Sequence, residues 1–347
     1  MTSTLTPQLS IIIPTLNEAD ALPNLIASLT GQLDIRSQII VADGGSTDGT
    51  LAFAEQHPQI ELVHAAAGRG LQMNVGATQA KSEWLLFIHA DSLIKDSKLL
   101  TNALRQSHPD IAGHFSLSFF DRTEEHALRY SVLEAKSKLS RENTTNGDQG
   151  LLIHSDLFLA SGRFSTRWHF LEDQTVNERL RKQGKLTLLR GCLHTSARRF
   201  EKEGFNSRYL LMTLLMTAWS CGLYDFIDNA RGAYREQSNA QQLSLLPFAN
   251  LFRKIHQQKP LQERLRLISA YGSYARRNAW QPLLWLGFFL FNTRHTRLVT
   301  LHDELLAPTL RLPVVKQIID IFLGVMVSLL IFYLGPALIR LRAGKPR

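Results

Sequence analysis

Residues 9–18 read LSIIIPTLNE, and residues 37–50 read SQIIVADGGSTDGT. Each is built on an apolar run, IIIP (11–14) and IIVA (39–42), and closes on acids, hydroxyls and, in the second, glycines. A strand that is apolar at every position is covered on both faces, as in a parallel sheet. Two more such runs follow, ELVHA (61–65) and EWLLFIHA (83–90). Helical patterns lie between them. Residues 19–30 place Ala21, Leu22, Leu25, Ile26 and Leu29 on one stripe, and helices are predicted over 47–56 and 71–81. The β-α-β-α-β-α-β order predicts an α/β, Rossmann-like, mostly parallel sheet with helices on both faces. Ligands of such sheets bind at the carboxyl ends of the strands.

Beyond Asp91 the alternation fades. The pattern predicts a helix over 95–107, a strand over 112–120 and a long helix over 123–140. A polar loop follows at 141–150 (RENTTNGDQG). A strand at 150–155, a helix at 173–182, a strand at 186–189 and an apolar helix at 209–224 complete this part.

A chain of 347 residues suggests two domains, or one large domain with an appendage. With 44% hydrophobic and 20% charged residues it can bury a core, which excludes a disordered or low-complexity chain. Two cysteines, Cys192 and Cys221, exclude a disulfide scaffold and a multi-cysteine metal site. The net charge of +9 is unevenly spread. Residues 1–239 hold 24 Lys+Arg and 26 Asp+Glu, a net of −2, and residues 240–347 hold 15 and 4, a net of +11. The expected division is therefore a catalytic domain at 1–239 and a basic, apolar helical region at 240–347. Met1 to Ser10 has no basic stretch leading into an apolar run, so a cytosolic start is expected. Ile321 to Ile339 is 19 residues without a formal charge, close to the roughly 20 that span a bilayer. With residues 318–320 it forms the apolar segment 318–339, and Arg340, Arg342, Lys345 and Arg347 follow it. A second apolar segment, 282–291, is too short to span and suits an in-plane or half-inserted helix. Basic residues beside apolar segments point to an anionic membrane surface rather than to nucleic acid.

Polar groups collect at three strand ends: Thr15, Asn17 and Glu18; Asp43 to Thr50; and His89, Asp91 and Ser92. Gly44 and Gly45 permit close backbone approach to a ligand. Asp43 can accept a hydrogen bond from a base or ribose. Asp91 is a hard oxygen ligand suited to Mg²⁺ or Mn²⁺ on a diphosphate.

These stretches resemble family-2 glycosyltransferases of the GT-A type. The resemblance rests on P-T-L-N-E (14–18), V-A-D-G-G-S-T-D-G-T (41–50), G-R-G-L-Q-M-N-V-G-A (68–77), a D-x-D-like motif at 89–91, and E-D at 172–173 ahead of a helix. N-G-D-Q-G (146–150) and T-S-A-R-R-F (195–200) resemble a bacterial subgroup associated with radical-SAM and selenodomain proteins. The likeness covers roughly residues 9–235 and implies a GT-A fold and hexosyltransferase-like activity on a nucleotide-sugar donor. Pro14, Thr15, Glu18 and Asp43 would hold the nucleotide base. Arg69 and Asn74 would support the phosphate side, and Asp91 would hold a divalent cation. Asp173 would be the general base, with Glu172 orienting it. Asp148 and Gln149 would line the sugar or acceptor site, and Arg198 and Arg199 would clamp the diphosphate. The chain departs from the pattern at His89, which stands where the first acid of D-x-D belongs. That weakens the expectation of strong cation dependence, although a neutral imidazole can still bind ribose or metal. His154, His169 and His194 are further histidines within reach of such a site.

One base and no second nucleophile imply direct displacement with inversion at the anomeric carbon. A nucleotidyltransferase acting on a sugar phosphate is the first alternative. Its signature loop after strand one is glycine-rich and basic, whereas here it is T-L-N-E. A non-catalytic nucleotide-binding scaffold is the second, and the presence of Asp43, Asp91, Glu172 and Asp173 argues against it. The apolar, basic tail favours a lipid or lipid-linked acceptor at the cytoplasmic face of the membrane. A single span would leave the C-terminal basic residues outside, against the positive-inside tendency, and a half-inserted or hairpin arrangement avoids this.

Overall fold

The computed structural model describes residues 6–168, 170–235, 237, 242–291 and 297–343. The chain divides into two compact units, Met1–Arg122 with Leu133–Ala197, and Thr123–Val132 with Arg198–Arg347. The junction expected at 239/240 lies outside the described residues, as do His169, Lys345 and Arg347.

The first unit contains β1 (Leu9–Thr15), α1 (Leu22–Thr30), β2 (Ser37–Asp43), α2 (Thr50–Gln56), β3 (Ile60–His64), α3 (Arg69–Thr78) and β4 (Trp84–Phe87). It continues with β5 (Ser92–Leu93), α4 (Leu99–Gln106) and β6 (Ala112–Phe120). Helix α5 (Ala127–Ser137) begins in the second unit and ends in the first. Then come β7 (Leu151–His154), α6 (Ser155–Ala160), α7 (Glu172–Lys182) and β8 (Leu186–Ser196).

Among the described residues, eight strands form one sheet in the order β3-β2-β1-β4-β7-β6-β8-β5. Strand β1 is parallel to β2 and β4, and β2 is parallel to β3. Strand β7 enters antiparallel beside β4, with Leu151 opposite Phe87. The residues leading into β7 therefore sit at the same sheet edge as those leaving β4. Side chains alternate between two cores, as the period-2 pleat requires. Ile11, Ile13, Ile39, Val41, Leu86 and Leu152 pack with α1 and α4 on one face. Ile12, Ile40, Leu85, Phe87, Leu151 and Ile153 pack with Met73, Phe158, Val176 and Leu180 on the other.

The first half of the sheet follows the sequence reading closely. Later elements differ. Strand β8 runs on from Leu189 to Ser196, passing Gly191 at φ +115°, a conformation that ended the pattern prematurely. The helix expected over 123–140 is a short 3₁₀ turn at Glu124–His126 followed by α5. Strand β5 is two residues long and α6 is six, both below the reach of periodicity.

The second unit adds α8 (Arg198–Glu203), α9 (Phe205–Ser220), α10 (Tyr224–Arg235), α11 (Leu246–Gln258), α12 (Leu261–Arg277) and α13 (Trp280–Phe291). It ends with α14 (Arg297–Leu301), α15 (Ala307–Arg311), α16 (Pro313–Leu329) and α17 (Gly335–Ala343), with π-helical turns at His302–Leu306 and Leu330–Leu334. The apolar helix expected over 209–224 is α9, starting four residues earlier and ending before Gly222, which is at φ +77°.

Helices α12 and α16 meet backbone to backbone. A side chain on Gly272 would collide with the Asp320 carbonyl, and one on Gly324 with the Ile268 carbonyl. The buried stripe of α16 is Asp320, Gly324 and Ser328, continued by Phe332 in the turn that follows. Its outer faces carry Val314, Ile318, Ile321, Phe322, Val325 and Met326, all exposed. This helix is apolar outside and polar inside, the reverse of a soluble-protein helix. Arg276 Nε donates to Asp320 Oδ1 at 2.6 Å within that interface, with side chains 9% and 7% exposed.

Asp320→Ala strands the Arg276 cation in the interface, and the expected loss is about 3–5 kcal/mol. The double replacement Arg276→Met with Asp320→Leu should recover most of it, as read from thermal unfolding in detergent. Equal losses in both proteins would show that the pair is not what holds α12 to α16.

Candidate active site

Parallel strands β1 and β2 end in register, Thr15 opposite Asp43. Thr15 Oγ1 donates to Asp43 Oδ2 at 2.9 Å. The Ser46 hydroxyl donates to the same oxygen at 2.5 Å, and the Gly45 and Ser46 N–H groups donate to Oδ1 at 2.8 Å each. Four donors thus fill the roughly four lone-pair positions of a carboxylate. Burial alone would push Asp43 up, but these bonds outweigh it and hold the carboxyl below its usual value. Asp43 therefore shapes the D-G-G-S-T turn, which is bent at Gly45 (φ +90°), rather than pointing its carboxylate openly at a base. Pro14 is buried within β1, and Glu18 is buried just beyond it, where Thr50 Oγ1 accepts from the Glu18 N–H at 2.9 Å. Asp48 is an anchor of the same turn, accepting from the Ala19 and Thr50 N–H groups.

Helix α3 supplies Arg69 and Asn74. Arg69 Nε lies 2.8 Å from Glu172 Oε1, with the Glu172 side chain 2% exposed. Asn74 departs from its expected role. Its amide donates to the Phe164 carbonyl at 3.0 Å and accepts from the Phe164 N–H at 3.2 Å, so it fastens the loop before α7 instead of facing a phosphate. Gly70 abuts the Ser165 carbonyl at the same seam, where no side chain fits.

Residues 88–91 leave β4, and residues 146–150 lead into β7 at the same edge. This brings together groups 59 positions apart. His89 Nδ1 and Asp148 Oδ1 are 2.9 Å apart. A carboxylate only accepts, so Nδ1 carries a proton, and in the ring's neutral form Nε2 keeps a lone pair. Burial would push His89 down, but the bond to Asp148 and its charge outweigh it, and the imidazole is raised above its ordinary value. Candidate ligand atoms of His89, Asp91 and Asp148 all lie within 4.8 Å of one another. A nitrogen and two carboxylates suit Mn²⁺, and Mg²⁺ less well. The residues present therefore fit a divalent cation, with Asp148 standing in for the acid that D-x-D lacks at position 89. Asp148 was expected to line the sugar or acceptor site, and it lies instead in this group.

Gln149 departs further. It is fully buried, and its Nε2 is 3.0 Å from the Phe115 and Ser137 carbonyls and from His114 Nδ1. It anchors the loop in the core and does not line an open site.

Helix α7 starts on Leu171, at φ +62°, and carries Glu172 and Asp173 in its first turn, where the helix dipole favours carboxylates. The Gly147 N–H donates to Asp173 Oδ2. Burial, reinforced by the neighbouring Glu172 charge, pushes Asp173 up to about 6, against the opposing pull of Arg69, His89 and the Gly147 N–H. A cavity of about 10 Å³ beside it is lined by His89, Asn146, Gly147 and Asn177 among polar groups and by Met73, Phe87 and Phe164 among apolar ones. That is room for about one water. Asn177 Oδ1 and Glu172 Oε2 are buried without a hydrogen-bond partner among the described residues.

Arg198 and Arg199 open α8 in the second unit, and the cluster above is built wholly from the first. His154 caps α6 through Asp156 N, and His194 sits in β8 opposite Leu93. The sequence reading missed Asn177, although its place four residues after Asp173 puts both on one helix face. It also missed Gly147, despite quoting the N-G-D-Q-G stretch that contains it.

The family model described as Glycosyl transferase family 2 matches residues 10–169. The chain is 37% identical over 100 residues to the PGL/p-HBAD biosynthesis glycosyltransferase of Mycobacterium bovis (strain BCG / Pasteur 1173P2), which is 27% of this chain and 39% of that protein. It is 25% identical over 174 residues to an uncharacterized glycosyltransferase of Haemophilus influenzae, covering 48% of this chain and 59% of the relative. The chain thus spans about two-fifths of the length of the mycobacterial relative. Among solved structures it is similar to S. aureus TarS 1–349 in complex with UDP-GlcNAc, with TM-score 0.46, 18% identity, and 86% of this chain and 92% of that one covered. The family match thus spans just under half of the chain, and it falls on the unit whose eight described strands form the sheet covered on both faces.

The raised Asp173 carboxyl makes a direct prediction. Followed by ¹³C NMR, it should titrate near 6. In Glu172→Gln the midpoint should fall, because a like charge is removed and Arg69 is freed to act on Asp173. A midpoint unchanged or raised in that variant would contradict the assigned cause.

Proposed function

We propose that the protein transfers a sugar from a nucleotide-diphosphate donor to an acceptor hydroxyl, with inversion, using Asp173 as the general base. The observation that carries this reading is the Asp173 carboxyl, buried, raised to about 6 and seated at the sheet edge that also presents His89, Asp91 and Asp148. A base poised near neutral pH accepts a hydroxyl proton efficiently without being permanently protonated. Glu172, locked by Arg69, sets the field in which Asp173 titrates. The Asp43 turn and the end of β1 shape the nucleotide pocket, with Pro14, Thr15 and Glu18 at its wall. Asp91, with His89 and Asp148, would hold Mg²⁺ or Mn²⁺, whose charge would neutralise a leaving diphosphate. Arg69, 34% exposed at the start of α3, would add positive charge on the phosphate side. The N-G-D-Q-G and T-S-A-R-R-F stretches support kinship with the radical-SAM and selenodomain-associated transferases.

The second unit supports a place at the cytoplasmic face of the cell membrane, and with it a lipid or lipid-linked acceptor. The helical stretch Pro313–Arg340 is 28 residues long, its most apolar 18-residue window has mean hydropathy 2.4, and only 22% of that window is buried. At about 1.5 Å per residue that exceeds the roughly 30 Å of a hydrocarbon core. The shorter apolar helix α13 exposes Phe289, Leu290 and Phe291.

Two outcomes test the reading. Asp173→Asn should lower nucleoside diphosphate release from a nucleotide-sugar panel by about 10²- to 10⁴-fold, with nucleotide affinity changed less than about threefold. Full activity in that variant removes Asp173 as the base. The full-length protein should sediment with membranes and float with vesicles containing anionic lipid. Recovery in the soluble fraction without detergent would overturn the membrane assignment.

A further inference from the structure

The structure assigns a positioning role to Gly147: its backbone N–H, on the turn that also carries Asp148, fixes the rotation of the Asp173 carboxylate beside His89. The inference rests on the reading of Asp173 as the base.

Three features carry it. First, the Gly147 N–H donates to Asp173 Oδ2 and so fixes that oxygen. Second, the position excludes every side chain. A Cβ on Gly147 would fall 2.7 Å from His89 Cε1, 2.8 Å from His89 Nε2 and 3.2 Å from Asp173 Oδ2. Its φ is not in the left-handed region, so the demand is for space and not for backbone freedom. The glycine is a thin wall between the imidazole and the carboxylate.

Third, the turn is held from both sides. Gln149 Oε1 accepts from the Asn146 N–H at 2.9 Å, closing a capping box on the turn. Gln174, the residue after Asp173, donates through Nε2 to the Thr145 carbonyl at 2.7 Å and to Asn146 Oδ1 at 3.0 Å. The helix that carries the base is thereby fastened to the turn that orients it. One residue along, Asp148 accepts from His89. A single turn therefore sets the orientation of both the base and the imidazole, which are contributed by different parts of the chain. Catalytic groups held this way keep near-attack geometry, and a displacement of about 1 Å can cost about 100-fold in rate.

The test uses the full-length protein labelled with ¹⁵N-glycine, with UDP and GDP as binding probes and their sugar conjugates as donors. The Gly147 amide resonance is identified by its loss in Gly147→Ala. It should move on Asp173→Asn, because its acceptor changes from carboxylate to amide. Gly147→Ala should lower kcat by about 100-fold, with UDP and GDP affinity measured in EDTA, where no cation links His89 to the diphosphate, changed less than about threefold. A merely structural glycine would instead lose affinity and thermal stability together with kcat. That pattern, a kcat kept within about threefold, or a Gly147 resonance unmoved by Asp173→Asn, overturns the inference. If the wild type turns over no donor, the transferase reading falls, and the Gly147 resonance still decides whether this backbone group holds Asp173.

Discussion

Two adjacent carboxylates buried at the start of one helix cannot both ionise without help, and the site is arranged around that constraint. Glu172 is neutralised by Arg69 from α3, 2.8 Å away. Asp173 receives a backbone N–H from Gly147 and the nearby charges of Arg69 and His89, and is still raised to about 6. The help comes from three different segments, so the two acids can stand side by side only in the folded protein. Burial supplies the upward push, and the surrounding cations limit it.

Much of this arrangement follows from sheet topology. Strands β1, β2 and β4 are parallel and end at one edge, which fixes Thr15, Asp43 and His89 there. Strand β7 runs the other way, so the residues before it, not after it, reach the same edge. That reversal is what brings Asp148 to His89 and Gly147 to Asp173.

The apolar runs at 9–14, 37–43 and 83–90 and the motifs behind them were legible because local patterning suffices for doubly covered strands. The pairing of β7 was not, since orientation beside β4 is a long-range property that no four-residue run carries. The same limit explains the individual side chains. Asn74 and Gln149 were read as ligand-facing amides, and both are taken up by backbone groups of distant loops. Asp43 is a similar case, its acceptors filled by the turn that it shapes. An amide or carboxylate in a motif shows that hydrogen bonds will be made, whereas the partner depends on the fold. His89 shows the converse. Seen alone it looked like a weakened D-x-D motif, and seen with Asp148 it is one of three candidate ligands whose atoms lie within 4.8 Å of one another.

Helix α16 turns the usual rule of burial inside out. Where α16 meets α12 the contact surface holds Asp320, Gly324 and Ser328, and glycine lets the backbones touch. Outward lie Ile318, Phe322 and Val325. In water this distribution exposes apolar surface and buries an ion pair, both unfavourable. In a bilayer the same distribution is favourable: the apolar faces meet lipid, close packing replaces the missing hydrophobic drive between helices, and Arg276 and Asp320 satisfy one another away from hydrocarbon. Under the proposed function, the excess of basic residues in 240–347 would then meet anionic headgroups, while the nearly neutral first two-thirds of the chain holds the buried carboxylates.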